Sequence, residues 1–283
     1  MTDKYFKLKV STDKPVNDLI VGLLSDVGAE GFVEEENELI CYFSEGNWNS
    51  SFESEVSKFL SNLKIEGKIS RFTIDISEIQ NQDWNREWEE SIIPIEVTKD
   101  IVIKPSWKEY KGEAKIIIEI DPKMSFGTGH HETTRMMVQL LERFVKAGAK
   151  LLDVGTGTGV LAIAAVKLGA SSCIAVDTDD WSIENARENI ERNGAAGKIE
   201  LIGGEIGSVR ETEFDIITAN LNRNTLLYIK SELYVRCAAD GILMLAGILT
   251  LDEKDVVAAY EQAGFKKVDE IREAEWSAVV LRK

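Results

Sequence analysis

Leu151-Leu152-Asp153-Val154-Gly155-Thr156-Gly157-Thr158-Gly159-Val160-Leu161 is the stretch that decides the fold. A short apolar run leads into three alternating glycines, and an amphipathic helix over Val160–Leu168 follows. A second apolar run, Cys173-Ile174-Ala175-Val176, ends at Asp177. Strand, glycine turn, helix and strand make a βαβ unit whose first turn brings backbone within reach of a ligand. Glycine suits that turn because it tolerates positive φ and has no Cβ to hold a ligand away. Asp177, twenty residues beyond Gly157, places a carboxylate at the tip of the next strand, where it can accept both hydroxyls of a ribose.

The glycine spacing separates the candidate nucleosides. A dinucleotide fingerprint reads G-x-G-x-x-G. Here the third glycine comes one position early, giving G-x-G-x-G with Asp153 two residues before the first glycine. That arrangement resembles motif I of class I methyltransferases that use S-adenosyl-L-methionine. The alternatives are a dinucleotide site and a tight strand–helix turn without a ligand. The three glycines, Asp153 upstream and Asp177 downstream together weigh against both.

At 283 residues the chain is long enough for one large or two ordinary domains. No apolar run approaches the roughly 18 residues of a membrane span, and the first residues lack the apolar core of a signal peptide. Cys41, Cys173 and Cys237 are odd in number, widely spaced and set in apolar runs, as expected of buried reduced thiols in a cytoplasmic protein. The net charge of -16 disfavours direct nucleic-acid binding and favours a basic partner. Acidity that serves solubility alone is the other reading.

The style of the chain changes near residue 80. Before it, Tyr5–Val10 alternates as a strand, and Pro15–Val27 carries apolar residues at helical spacing. Gly31–Val33 and Glu38–Phe43 read as strands, Phe52–Leu63 as a helix and Arg71–Ile76 as a strand. This order predicts a small ferredoxin-like α+β domain over 1–79, with no catalytic constellation of its own. In the segment 80–95, Trp84 and Trp88 share one face of a short linker helix that Asp83 can cap. From 96 to 283, strands alternate with helices, which predicts a doubly wound α/β sheet. Its further strands are Ile101–Ile103, Lys115–Ile120, Ile199–Ile202, Phe214–Ala219, Gly241–Ala246, and a closing pair at Phe265–Val268 and Ser277–Leu281. Ligands of such sheets bind beyond the carboxyl ends of the strands, where Gly155, Asp177 and Asn220 fall.

The loop Asp121-Pro-Lys-Met-Ser-Phe126-Gly-Thr-Gly-His130-His131-Glu-Thr133-Thr134 precedes a helix running to Phe144. His131-Glu132 opens like a metalloprotease motif, but position 135 is Arg and the chain has two histidines in all, so no metal is expected.

Taken in order, the connector DWNREW, Pro105-Ser106-Trp107, the loop DPKMSFGTGHHETT, LLDVGTGTGVLAIAAVKLGA and Ala219-Asn220 resemble ribosomal-protein methyltransferases of the PrmA type. The resemblance is specific from about residue 80 to the end, and weaker before it. It implies an N-terminal substrate-recognition domain, a linker helix and a class I methyltransferase domain. The implied activity is methyl transfer from S-adenosyl-L-methionine to amines of large-subunit ribosomal protein eleven, by a monomeric cytoplasmic enzyme. Phe126, Thr134, Asp153, Gly155, Gly157, Asp177 and Asn220 are the implied cofactor contacts, and Asn220 with the carbonyl of Leu221 the catalytic pair. Three departures stand out: Glu132 where the family often has Pro, Thr156 where it has Cys, and a polar Asn222-Arg223-Asn224 where it is apolar. Asn220-Leu221-Asn222-Arg223 lacks the prolines and tyrosine of the Asn-Pro-Pro-Tyr signature of release-factor and adenine-N6 methyltransferases.

The chemistry asked of such a site is mainly alignment of a nucleophile behind an activated methyl group. A lysine amine must be neutral to attack, and burial lowers its pKa. Asn220 and the Leu221 carbonyl are placed to accept amine hydrogens, with no dedicated general base. Two other readings stay open: a methyltransferase of another protein, small molecule or RNA, and a cofactor-binding module without turnover.

Overall fold

The computed structural model describes residues 4–14, 16, 20–21, 24, 29, 31–35, 38–49, 51–80, 92–121, 127, 129 and 131–283. The chain divides into two compact units, 1–92 and 93–283. The expected linker helix with Asp83, Trp84 and Trp88 lies outside the described residues, as do Phe126 and most of the helix expected over 15–27.

In the first unit, strands β1 (Lys4–Thr12), β2 (Gly31–Glu35), β3 (Glu38–Ser44) and β4 (Phe72–Gln80) form an antiparallel sheet in the order β2-β3-β1-β4. Alternation sets the register: Leu8, Val10, Leu39, Cys41 and Phe43 are buried, while Lys7, Lys9, Ile40 and Tyr42 between them are only partly covered. Helix α1 (Phe52–Ile65) contributes Phe52, Val56, Leu60 and Leu63, spaced three and four apart, to that core. Its first turn carries Glu53 and Glu55 and its last Lys64, as the helix dipole favours.

In the second unit, β5 (Ile95–Glu96), β6 (Ile101–Lys104) and β7 (Ile116–Glu119) make a three-stranded sheet, β6 and β7 running parallel. The main sheet has seven strands: β8 (Lys150–Val154), β9 (Ser172–Asp177), β10 (Ile199–Gly203), β11 (Phe214–Asn220), β12 (Cys237–Leu249), β13 (Lys266–Glu273) and β14 (Trp276–Arg282). Their spatial order is β10-β9-β8-β11-β12-β14-β13, and β14 is antiparallel to both its neighbours. The order reverses at β8, and ligands of doubly wound sheets lie at that switch point.

Helices α2 (Glu132–Phe144), α3 (Val160–Lys167), α4 (Asp180–Arg192), α5 (Arg223–Arg236) and α6 (Glu253–Gln262) cover the sheet. One core lies under α2 and α3, on the face of Leu151, Ile216 and Met244; the other holds Leu152, Ile217, Leu226 and Tyr260 on the opposite face. α3 is apolar all round, with Val160 to Ala165 buried, because it packs between β8 and β9 on one side and α2 and β7 on the other. All three cysteines are buried free thiols.

Three elements differ from the pattern reading: α3, expected to be amphipathic, is apolar all round, and the other two are β12 and α5. The fifth strand of the doubly wound series does not stop at Ala246 but continues through Gly247, at φ +78°, to Leu249, with a register shift against β14 between Leu245 and Ile248. A glycine inside an apolar strand is a bulge signal. The polar stretch after Asn220 starts a helix: the Asn222 side chain accepts from the Thr225 N–H at 3.1 Å and its hydroxyl at 3.2 Å, capping α5.

Candidate active site

The carboxyl ends of β8, β9, β10, β11 and β12 open into one cavity of about 960 Å³, within the range typical of small-molecule sites. Its floor is the turn after β8. Gly155 sits at φ +73°, and a Cβ there would collide with the side chain of Leu221. The Gly155 N–H donates to the Val176 carbonyl at 2.9 Å, tying the turn to β9.

Asp177 ends β9 and lines the cavity. One carboxylate oxygen accepts from the Gly157 N–H at 2.9 Å, the other from the Asp179 N–H at 3.1 Å. Asp179 in turn caps α4 by accepting from Ser182. Glu205, Ile206 and Gly207, beyond β10, form a further wall, and Val154, Val176 and Ile229 add apolar surface.

At the end of β11, Asn220 and Leu221 both line the cavity. Asn220 Nδ2 donates to Thr133 Oγ1 at 3.2 Å, which leaves the amide oxygen to accept. Thr133 Oγ1 lies 2.8 Å from His131 Nδ1, and the same nitrogen accepts the Thr133 N–H at 3.3 Å, capping α2. The His131 ring meets the Trp276 indole edge to face at 5.0 Å between centroids, and both rings line the cavity. Leu221 is held from below: its N–H donates to the Ala246 carbonyl at 3.1 Å, and its peptide lies on the bare Cα of Gly247.

Gly155, Gly157, Asp177, Asn220 and Leu221 therefore converge on one cavity. Asp153 does not line it. Its side chain is wholly buried behind the turn and accepts from Thr156 and Thr218, each at 2.7 Å. Asp153, expected as a direct cofactor contact, thus turns its carboxylate inward, with no face open to the cavity. Burial pushes the Asp153 carboxyl up to about 6 against the opposing hydroxyl donors, with the Asp177 charge adding to the rise. Thr134 is also buried and off the cavity wall, and its hydroxyl has no hydrogen-bond partner among the described residues.

His131, Thr133, Trp276 and Gly247 were missed as site residues. His131 and Thr133 stand in the glycine loop, but a search for metal spacing passes over a histidine that caps a helix. Trp276 is one aromatic in a polar hairpin and carries no local signal. Among the described residues no group of three or more His, Cys, Asp or Glu side chains could hold a metal ion.

A doubly wound sheet of this order, with its one reversed strand and with the glycine turn and strand-end Asp177 at the switch point, defines a class I S-adenosyl-L-methionine-dependent methyltransferase. A family model described as ribosomal protein L11 methyltransferase (PrmA) matches residues 4–283, and the chain belongs to that family. A protein of Chlorobaculum tepidum named ribosomal protein L11 methyltransferase is 36% identical over 285 residues, 99% of this chain and 97% of that protein. One of the same name from Ruminiclostridium cellulolyticum is 30% identical over 310 residues, covering 99% and 98%. The crystal structure of a ribosomal protein L11 methylase from Lactobacillus delbrueckii subsp. bulgaricus superposes with a TM-score of 0.61 at 32% identity, covering 67% of this chain and 98% of that one.

The residues present fit the cofactor of this class. Asp177 offers carboxylate acceptors on the cavity wall beside the Gly157 N–H, and Gly155 and Gly157 bring backbone without side chains to the same wall.

Proposed function

We propose that this protein transfers methyl groups from S-adenosyl-L-methionine to lysine side-chain or N-terminal amines of large-subunit ribosomal protein L11. The observation that carries the reading is the meeting of two sets of groups in one cavity. Gly155, Gly157 and Asp177 line it together with Asn220, Leu221, Thr133 and His131, of which Asn220 and Thr133 are hydrogen-bonded. Full-length relatives named for that substrate supply the choice of acceptor.

When bound, S-adenosyl-L-methionine supplies a methyl group already activated by its sulfonium. Asp177 would accept the ribose hydroxyls, and the side-chain-free turn at Gly155 and Gly157 would let the backbone approach the cofactor. On the acceptor side, Thr133 takes one amide hydrogen of Asn220 and so orients its oxygen toward an incoming amine. That oxygen and the Leu221 carbonyl would accept N–H bonds from the amine and so hold its nitrogen in one orientation. The largely apolar lining of the cavity would lower the amine's pKa and favour its neutral form.

The first unit, in which the described residues show no such constellation, recognises the substrate, and the acidic chain attracts a basic ribosomal protein. Incubation with labelled S-adenosyl-L-methionine and free ribosomal proteins, stripped ribosomes or RNA tests the reading. Label is expected in protein L11; label in RNA or in nothing overturns it.

A further inference from the structure

We propose that Asp153, Thr156 and Thr218 form a buried brace that couples the cofactor turn to the strand carrying the acceptor-orienting Asn220; this rests on the function proposed above. The carboxylate is wholly buried, and so are both threonines. One oxygen accepts the hydroxyl of Thr156, which stands between Gly155 and Gly157 in the turn. The other accepts the hydroxyl of Thr218, whose Cα is the register partner of Asp153 across β8 and β11. Two residues on, and so on the same face of β11, comes Asn220. A single side chain thus fixes the donor side and the acceptor side of the reaction relative to each other.

The brace needs an ionised carboxylate, since only that form accepts from two hydroxyls with neither oxygen donating. A protonated carboxyl or an asparagine leaves one threonine to find another partner. Keeping the charge buried costs stability, because burial holds the carboxyl above its ordinary value of 3.8, at about 6. The sign follows from linkage: the folded state binds this proton more tightly than the unfolded chain, so the group's contribution becomes unfavourable as pH rises from about 4 to about 6. The titratable groups facing it are Asp177 at the end of β9 and Cys173 on the same strand. A group kept at a cost to the fold has its benefit elsewhere, here in the alignment of the two sides of the site.

The test is calorimetric titration of the full chain with S-adenosyl-L-methionine, with kcat measured on purified protein L11. Thr156→Val is expected to weaken cofactor binding roughly tenfold, and Thr156→Ser to restore it. Thr218→Val is expected to keep cofactor affinity and lower kcat. Asp153→Asn is expected to do both, while its thermal midpoint at pH 8 stays at or above that of the wild type. Wild-type cofactor affinity is expected to fall as pH drops below about 6. Unchanged affinity in Thr156→Val, full kcat in Thr218→Val, or a lowered midpoint with unchanged affinity in Asp153→Asn overturns the brace. A wild type that does not bind the cofactor overturns the proposed function instead.

Discussion

The peptide of Leu221 rests directly on the Cα of Gly247: a Cβ added there would stand 2.8 Å from the Leu221 carbonyl carbon, 3.1 Å from its nitrogen, and in collision with its oxygen. Gly247 also sits at φ +78°, in the left-handed region. The bulge of β12 thereby sets the height of the carbonyl proposed to receive the acceptor amine. Gly247→Ala is expected to strain the backbone by about 1–2 kcal/mol and to displace Leu221. A shift near 1 Å in such a site lowers turnover on the order of a hundredfold. Steady-state kinetics should show the loss in kcat, with cofactor affinity much less affected.

Asp177→Ala is expected to weaken S-adenosyl-L-methionine binding by roughly 1.5–3 kcal/mol in a protein that still folds. The carboxylate has two tasks, holding the Gly157 N–H and presenting acceptors to the cavity. Unchanged affinity by calorimetry would remove it from the cofactor site.

Asn220 separates binding from turnover. Asn220→Ala should cut kcat far more than it changes cofactor affinity, since its role belongs to the transition state. In Asn220→Asp, a carboxylate would hold the amine protonated and raise its pKa. That variant should be slow at neutral pH and recover in part as pH rises, while the wild-type rate climbs until the bound amine is neutral. A pH-independent defect in Asn220→Asp contradicts the orienting role.

A chain shortened to begin at Ile93, the start of the second unit, is expected to bind S-adenosyl-L-methionine and to methylate protein L11 poorly. The cavity residues all lie beyond that point. Full activity of the shortened chain would give the first unit some other task.

Glu253 anchors the hairpin that carries Trp276. It is almost fully buried and accepts from Lys267 Nζ, Arg272 Nε and Ser277 Oγ at 2.7, 2.8 and 2.7 Å. Burial pushes its carboxyl up, but the Arg272, Lys267 and Ser277 donors outweigh that and hold it well below its ordinary value of 4.5. The folded state binds this proton less tightly than the unfolded chain, so its stabilisation is present above about pH 4.5 and is lost as pH falls through the lower folded value. Glu253→Gln should cost about 2 kcal/mol at pH 7, discounted because Arg272 is half exposed. Urea denaturation at pH 7 and pH 3 should show the difference between variant and wild type shrinking in acid.

The βαβ unit was legible because it is local. Short apolar runs, three glycines and a terminal Asp177 lie within thirty residues, and backbone conformation at each depends on near neighbours. The closing strand pair β13 and β14 and the placement of all three cysteines in apolar runs were legible on the same grounds. Composition and motif order likewise carried the cofactor class and the family.

What only the tertiary structure decided is which side chains face one another across the sheet. Asp153 looked like a ligand contact because of its place before the glycines, yet pairing of β8 with β11 encloses it between Thr156 and Thr218. His131, Thr133 and Asn220 are brought into one hydrogen-bonded row from positions up to 89 residues apart, and Trp276 arrives from a hairpin near the chain end. Gly247 sets the seat of Leu221 through a bulge in a neighbouring strand. Periodicity reports the face on which a residue lies; only strand order, register and bulges determine its partner, because those are properties of packing between segments that share no local sequence.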